Sequence, residues 1–147
     1  MDDHLSKALE EIKRADHLVH VTLKYTRTAD VIRNIIERLI SAHDYIFLDY
    51  LNFSKENGKI KHVPESSKER LELFKVEFKG KIKTYIDLYL TMKKIHAAEF
   101  GKKEEFRKHV TLIAHIGKKD LNVDIPVITD YYYKTKEFFS LVYHAIK

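Results

Sequence analysis

The sequence has no cysteine and no tryptophan, and it has only two prolines and four glycines in 147 residues. Without cysteine the chain can form neither a disulfide nor a cysteine-ligated zinc site. Because glycine and proline supply most sharp turns, their scarcity favours a few long elements over many short strands. No apolar run approaches the roughly 20 residues that a membrane-spanning helix needs. The acidic start of the chain is not typical of a secretion signal, so we expect a soluble, cytoplasmic protein without membrane contact.

Hydrophobic residues make up 44% of the chain, which is enough for one helical domain over residues 1–147 with a sizeable core. Glutamine is also absent, and lysines far outnumber arginines among the 27 basic residues. This bias is typical of heat-adapted proteins. The net charge of +5 favours an acidic partner such as RNA. A lysine-rich surface on a heat-adapted protein gives the same charge without such a partner.

A stretch without glycine or proline, residues 28–53, has the strongest structural pattern in the chain. Apolar side chains recur there at every third or fourth position, which predicts a helix packed against several neighbours. The same spacing predicts a first helix over residues 3–24 and a third over residues 71–98. Gly80 lies inside the third pattern and indicates either a bend or a break into two helices. A last helix is predicted after Asp124. Its inner face is expected to contain Ile128, Tyr131 or Tyr132, Thr135, Phe138, Val142 and Ala145.

Residues typical of helix ends support these boundaries. Thr28 is a favourable N-cap for the central helix, and Asn57 followed by Gly58 suits its C-terminal end. Ser66 and Glu69 have the spacing of a capping box, which predicts the start of the third helix.

Two segments near the C-terminus alternate between apolar and polar residues, as strands do. They cover residues 110–116 and 121–125, with a turn at 117–120, and together predict a β-hairpin. The charged residues 102–108 before them are predicted to form one or two turns of helix. The predicted fold class is mainly α, a helical bundle of four main helices with a small β-hairpin before the last helix.

Nine histidines raise the possibility of a metal site, but their spacing does not form one. His17 and His20 lie one helical turn apart without a third ligand, and no His-Glu-x-x-His sequence occurs. The chain also lacks a Gly-x-Ser-x-Gly motif and a glycine-rich phosphate loop. We therefore expect no metal and no other cofactor, and the sequence argues against an enzyme of these classes.

Three lysines repeat at every fourth position along the predicted third helix: Lys75, Lys79 and Lys83. Like charges at this spacing repel each other slightly unless an anion neutralises them. The row therefore predicts a nucleic-acid-binding surface. A solvated lysine face without a ligand is the alternative.

Arg38 and His43 enclose the sequence Leu-Ile-Ser-Ala within the central helix. The pattern resembles the Arg-x(4–6)-His motif of HEPN domains, which are small helical bundles and often dimeric. The resemblance implies that His43 acts as general base or acid on a ribose 2′-hydroxyl while Arg38 steadies the phosphate. An imidazole and a guanidinium suit these two roles near neutral pH.

The leading hypothesis is a homodimeric, HEPN-like helical domain associated with RNA. It would be either a metal-independent ribonuclease or the partner of a nucleotidyltransferase. The alternative is a non-catalytic, homodimeric module that binds other proteins, favoured by the aromatic surplus at residues 131–133 and 138–139. His43 lies in the apolar stripe of its helix, so a buried structural histidine stays open as well. The sequence leaves undecided whether the protein is an enzyme.

Overall fold

The computed structural model describes residues 4–146, which form five helices and one three-stranded sheet. Helix α1 is α-helical over Ser6–His17, π-helical over Leu18–Thr22 and α-helical again over Leu23–Tyr25. The other helices are α2 (Ala29–Glu56), α3 (Ser67–Glu77), α4 (Lys83–Ala97) and α5 (Ile125–Ile146). The strands are β1 (Glu99–Lys103), β2 (Thr111–Ile116) and β3 (Lys119–Asp124). The predicted mainly α class is confirmed.

Helix α2 lies at the centre and packs against each of the other four helices and against β2. Its start is capped as predicted, because the Thr28 hydroxyl accepts a hydrogen bond from the Val31 N–H at 3.2 Å. Its end is also as predicted, since Gly58 adopts the left-handed conformation, with φ +72°, directly after Asn57. The apolar pattern of residues 28–53 therefore identified the central helix correctly.

The predicted third helix is broken into α3 and α4. The backbone becomes extended at Phe78, with φ −81° and ψ 122°. This places the Phe78 ring in a stacked contact with Phe74, at 5.2 Å between ring centroids. A Cβ at Gly80 would lie 2.7 Å from the Phe78 ring, so the absence of a side chain there permits this packing. Burial of Phe78 thus accounts for a break that local periodicity left open.

The sheet has one more strand than the predicted hairpin. Strand β2 lies in the middle and pairs antiparallel with β1 and β3. Gly117 begins a two-residue loop between β2 and β3 with φ +60°, a conformation that glycine adopts at no steric cost. The prediction of a short helix over residues 102–108 is wrong, because Lys102 and Lys103 belong to β1. This edge strand is missed because it is charged and largely exposed, so it has no apolar alternation.

The last helix buries the predicted face with one exception. Asp124 caps its start by accepting a hydrogen bond from the Val127 N–H at 3.0 Å. Ala145 is exposed rather than inward, and Ile146 is the buried residue at that end. Within residues 4–146, none of the helices combines the length and apolar character required to cross a membrane. The buried residues of α5 are Ile128, Tyr132, Thr135, Phe138, Val142 and Ile146.

Candidate nucleic-acid interface

His43 lies in the protein core. Its side chain is fully buried, and its Nδ1 donates a hydrogen bond to the Leu39 carbonyl at 2.9 Å. The ring stacks on Phe138, at 5.3 Å between centroids, and its Nε2 has no hydrogen-bond partner among the described residues. Burial lowers the pKa of His43 from 6.5 to about 4, because the charged imidazolium would lose its hydration. The ring is therefore neutral at physiological pH and has no contact with solvent.

Arg38 lies on a different side of α2 from His43 and forms ion pairs with two carboxylates. Its Nη1 donates to Glu11 Oε2 at 2.9 Å, and its Nη2 donates to Glu37 Oε1 at 3.1 Å. None of the hydrogen-bonding or ring partners of Arg38 is also a partner of His43. Within one chain the fold thus does not bring the two side chains to a common site. Their catalytic role stays a prediction.

The three predicted lysines are only partly brought together. Lys75 and Lys83 line an open depression of about 910 Å³ next to the α3–α4 break, together with Lys81. Lys79 does not line it and instead donates to the Val76 carbonyl at 3.3 Å. Asp87 and Glu137 also line the depression, and Lys83 Nζ lies 2.7 Å from Asp87 Oδ2. These two carboxylates offset part of the lysine charge of the depression. Nucleic-acid binding by the lysine row stays a prediction.

A second basic surface lies where the α1–α2 connection meets the loop between β1 and β2. Each of the two segments carries a highly exposed aromatic side chain, Tyr25 in the first and Phe106 in the second, which expose 84% and 73% of their surface. The Phe106 N–H donates to the Arg27 carbonyl at 2.6 Å, so the two segments are in direct contact although they are distant in sequence. We call this region the Tyr25–Phe106 surface. We define it by the basic and aromatic residues of the two segments and of the adjoining end of β1, which are Lys24, Tyr25, Arg27, Lys103, Phe106 and Lys108.

Contacts to the start of α2 hold the loop that carries Phe106. Glu105 Oε2 accepts a hydrogen bond from the Ala29 N–H at 2.8 Å, as an anion at a helix N-terminus should. Lys102 Nζ donates to Asp30 Oδ2 at 2.9 Å. Glu104 and Phe106 have φ values of 57° and 65°, which side chains other than glycine rarely adopt. The fold thus holds a large aromatic ring in a strained and exposed position.

The cations of the Tyr25–Phe106 surface are available to a ligand. Lys24, Lys103 and Lys108 form no ion pair with any of the described residues. This surface is not among the sites predicted from the sequence, although its two segments share a local pattern. An aromatic residue stands beside two basic residues, in Lys24-Tyr25-Thr26-Arg27 and in Phe106-Arg107-Lys108. Only the fold shows that these segments are neighbours.

Metal ligands do not cluster in the part of the chain that the structure describes. Among residues 4–146, no three histidine, aspartate or glutamate side chains converge on a point where a metal ion would fit. His20 contacts Asp16 at 3.0 Å and Tyr133 at 3.2 Å, while His17 lies in a separate cleft.

Comparison with protein-family models, curated proteins and solved structures gave no match. The resemblance to HEPN domains therefore stays a prediction that rests on Arg38 and His43.

Proposed function

We propose that this protein binds single-stranded RNA at the Tyr25–Phe106 surface. Bases stack on the two aromatic rings, and the surrounding cations contact the backbone phosphates. The observation that carries the proposal is the backbone contact between the segments that carry Tyr25 and Phe106, the two most exposed large apolar side chains among the described residues. Each segment also carries basic side chains without an ion-pair partner among those residues.

The exposure of the two rings means that they contribute little to the stability of the folded chain. An aromatic ring that stays in water contributes none of the stabilisation that burial would give it. In addition, a left-handed backbone conformation at a residue other than glycine costs on the order of 1–3 kcal/mol, and such strain is concentrated at functional sites. Phe106 combines an unburied ring with this backbone strain, which supports a role in binding rather than in folding.

The charge around the rings favours a nucleic acid over a protein partner. The centres of protein interfaces are poor in lysine, whereas proteins that bind single strands combine aromatic platforms with a basic groove. Stacking of a base on an aromatic ring contributes about 1–3 kcal/mol. It requires unpaired bases, because bases within a duplex already stack on each other. The proposed ligand is therefore a single strand.

The proposal does not require catalysis by Arg38 and His43. RNA cleavage in EDTA that is lost in both Arg38→Ala and His43→Ala would support the ribonuclease hypothesis. RNA binding with no cleavage in any of the proteins would leave binding as the function of the chain.

The test is the affinity for a short mixed-sequence RNA, measured by fluorescence anisotropy. A double variant, Tyr25→Ala with Phe106→Ala, is expected to bind at least about tenfold more weakly because two stacking platforms are removed. Tyr133→Ala is the matched control, since this tyrosine is 46% exposed but its ring already packs on Tyr132. Raising the salt from about 50 to 200 mM is expected to weaken binding by the wild type through counterion release.

Equal affinity of the wild type and the double variant would refute the proposal. A loss confined to a triple variant of Lys75, Lys79 and Lys83 would instead place the interface at the lysine row predicted from sequence. Light scattering on the same proteins tests the alternative function. If the wild type binds no RNA but forms a dimer that the double variant cannot form, the Tyr25–Phe106 surface is a protein interface.

A further inference from the structure

The strand β1 forms one edge of the sheet. Within the part of the chain that the structure describes, the only strand hydrogen-bonded to it is β2. An edge strand presents the outward N–H and C=O groups of its backbone to any further strand that can pair with it. We infer that two copies of this chain associate through their β1 edges in antiparallel orientation, so that their two sheets join into one.

The side chains of β1 alternate between the two faces of the sheet. Phe100 faces α2, because the Arg33 guanidinium lies 5.5 Å from the centroid of its ring. Glu99, Gly101 and Lys103 therefore lie on the opposite face. Both Glu99 and Lys103 are exposed, and neither forms an ion pair with any of the described residues. The edge thus carries two opposite charges on one face, and both are free to pair with another molecule.

These charges match those of a second copy in one register. In a symmetric antiparallel pair the two-fold axis passes between two facing residues, so one residue of β1 faces its own copy. With Gly101 on the axis, all five residues of the strand are paired, and each Glu99 faces Lys103 of the other copy. Opposite charges directly across two strands stabilise the pairing, and like charges destabilise it. With Lys102 on the axis, the two copies of this lysine would face each other.

The other edge of the sheet offers no such match. Strand β3 also has opposite charges at its ends, Lys119 and Asp124, but a symmetric register cannot pair them because no residue lies midway between them. With Asn122 on the axis, Asp120 faces Asp124 of the second copy. Lysine on an edge strand normally opposes pairing with a further strand. At β1 the glutamate four positions earlier removes this repulsion, so β1 is the edge that suits a second copy.

Gly101 supports the same interface. Glycine inside a strand weakens it and often marks a position where another backbone approaches closely. The φ of Gly101 is not positive, and a Cβ there would meet only the His115 ring, at an ordinary distance of 3.5 Å. The contacts within one chain therefore do not require glycine at this position. A second backbone at the two-fold axis accounts for it.

The test is the association of charge variants, measured by analytical ultracentrifugation at about 10 µM to 1 mM protein, the range in which small interfaces associate. Glu99→Lys and Lys103→Glu each place like charges opposite each other in the dimer. Each variant alone is expected to associate at least about tenfold more weakly than the wild type. An equal mixture of the two variants is expected to form a heterodimer with the wild-type affinity, because every lysine of one variant then faces a glutamate of the other.

Lys119→Glu is the matched control, since it reverses the charge of an exposed lysine on β3. It is expected to associate as the wild type does, and circular dichroism checks that every variant is folded. A wild type that stays monomeric at the highest concentration overturns the inference. So does a dimer that both single variants form with unchanged affinity, or a loss in the single variants that the mixture does not restore.

The inference does not rest on RNA binding, and the two can fail separately. Glu99→Lys leaves every residue of the Tyr25–Phe106 surface in place, whereas Tyr25→Ala with Phe106→Ala leaves β1 intact. A dimer that is lost in the aromatic variant and kept in Glu99→Lys would overturn the inference and place the interface at the Tyr25–Phe106 surface. Loss of association in Glu99→Lys with unchanged RNA affinity would support the β1 interface.

Discussion

The protein has two groups of aromatic side chains with opposite surroundings. In the core, rings from four helices pack against one another, three of them also contact His43, and each has at least two ring partners at centroid distances of 5.0–6.3 Å. The members of this core cluster are Phe47, Phe74, Tyr89 and Phe138. Tyr25 and Phe106 have no ring partner among the described residues and lie mostly in water. The same side-chain chemistry thus stabilises the fold in one region and is left available to a ligand in the other.

The polar groups of the two regions also lie in different environments. In the core, three of the rings surround the imidazole of His43. Its Nδ1 donates to the Leu39 carbonyl, and its Nε2 has no hydrogen-bond partner among the described residues. Because the surrounding rings exclude water, this imidazole must stay uncharged. The Tyr25–Phe106 surface instead carries exposed lysines, which remain charged and hydrated. The comparison predicts that substitutions in the core change stability, while those at the surface change binding.

The largest expected effect is that of truncating a ring in the core cluster. Phe138→Ala is expected to lower the free energy of unfolding by about 3–5 kcal/mol, because the fully buried ring leaves a cavity between α2, α3 and α4. Chemical denaturation followed by circular dichroism measures it. Tyr25→Ala, the surface counterpart, is expected to change stability by less than about 0.5 kcal/mol. Similar losses in the two variants would remove the distinction between the regions.

The second largest expected effect is a decrease in the free energy of unfolding at acidic pH, which His43 causes. Its pKa is about 4 in the folded chain, against the ordinary 6.5. Between these values the unfolded chain binds a proton that the folded chain does not, so stability falls as the pH drops from 6.5 towards 4. A shift of this size corresponds to about 3 kcal/mol. Above pH 6.5 the contribution of His43 is independent of pH.

His43→Phe isolates this contribution. Burial raises the pKa of Asp44 and Asp49, which acts in the opposite direction in acid, but both carboxyls are present in the wild type and in the variant. Unfolding free energies at pH 7 and pH 4.5 are therefore compared within each protein. We expect the wild type to lose about 2–3 kcal/mol more than the variant over this interval. Parallel pH profiles would show that His43 titrates normally in the folded chain.

The smallest expected effect concerns the strain at Phe106. Glycine adopts its φ of +65° without a steric penalty and alanine does not. Phe106→Gly is therefore expected to be about 1 kcal/mol more stable than Phe106→Ala in thermal or chemical denaturation. Both variants lack the ring, so both should lose RNA affinity to the same extent. Equal stability of the two would mean that the strained loop relaxes once the ring is gone, and that the ring itself imposes the strain.

Features that depend on residues close together in the sequence were predictable from it. The apolar repeat of residues 28–53 specified the central helix, and the hydroxyl groups of Thr28 and Ser66 cap helices as their positions indicated. These features follow from side-chain spacing and from donors within the first helical turn. The strand β1 was not predictable, because its charged residues carry no alternation and its pairing partner, β2, supplies the hydrogen bonds.

The candidate sites show the same division. The sequence identified Arg38 and His43 as residues of interest, but it contained no information on which neighbours would surround them. The packing of the helices determines these neighbours: α1 places Glu11 beside Arg38, and α5 places Phe138 beside His43. The segments that carry Tyr25 and Phe106 meet only because the loop between β1 and β2 contacts Arg27 and the start of α2. Local spacing and capping residues determined where α2 begins and ends, whereas burial of Phe78 in the folded protein separates α3 from α4. Contacts between residues far apart in the chain decided which side chains are buried and which can meet a ligand, because burial depends on every element packed around a residue.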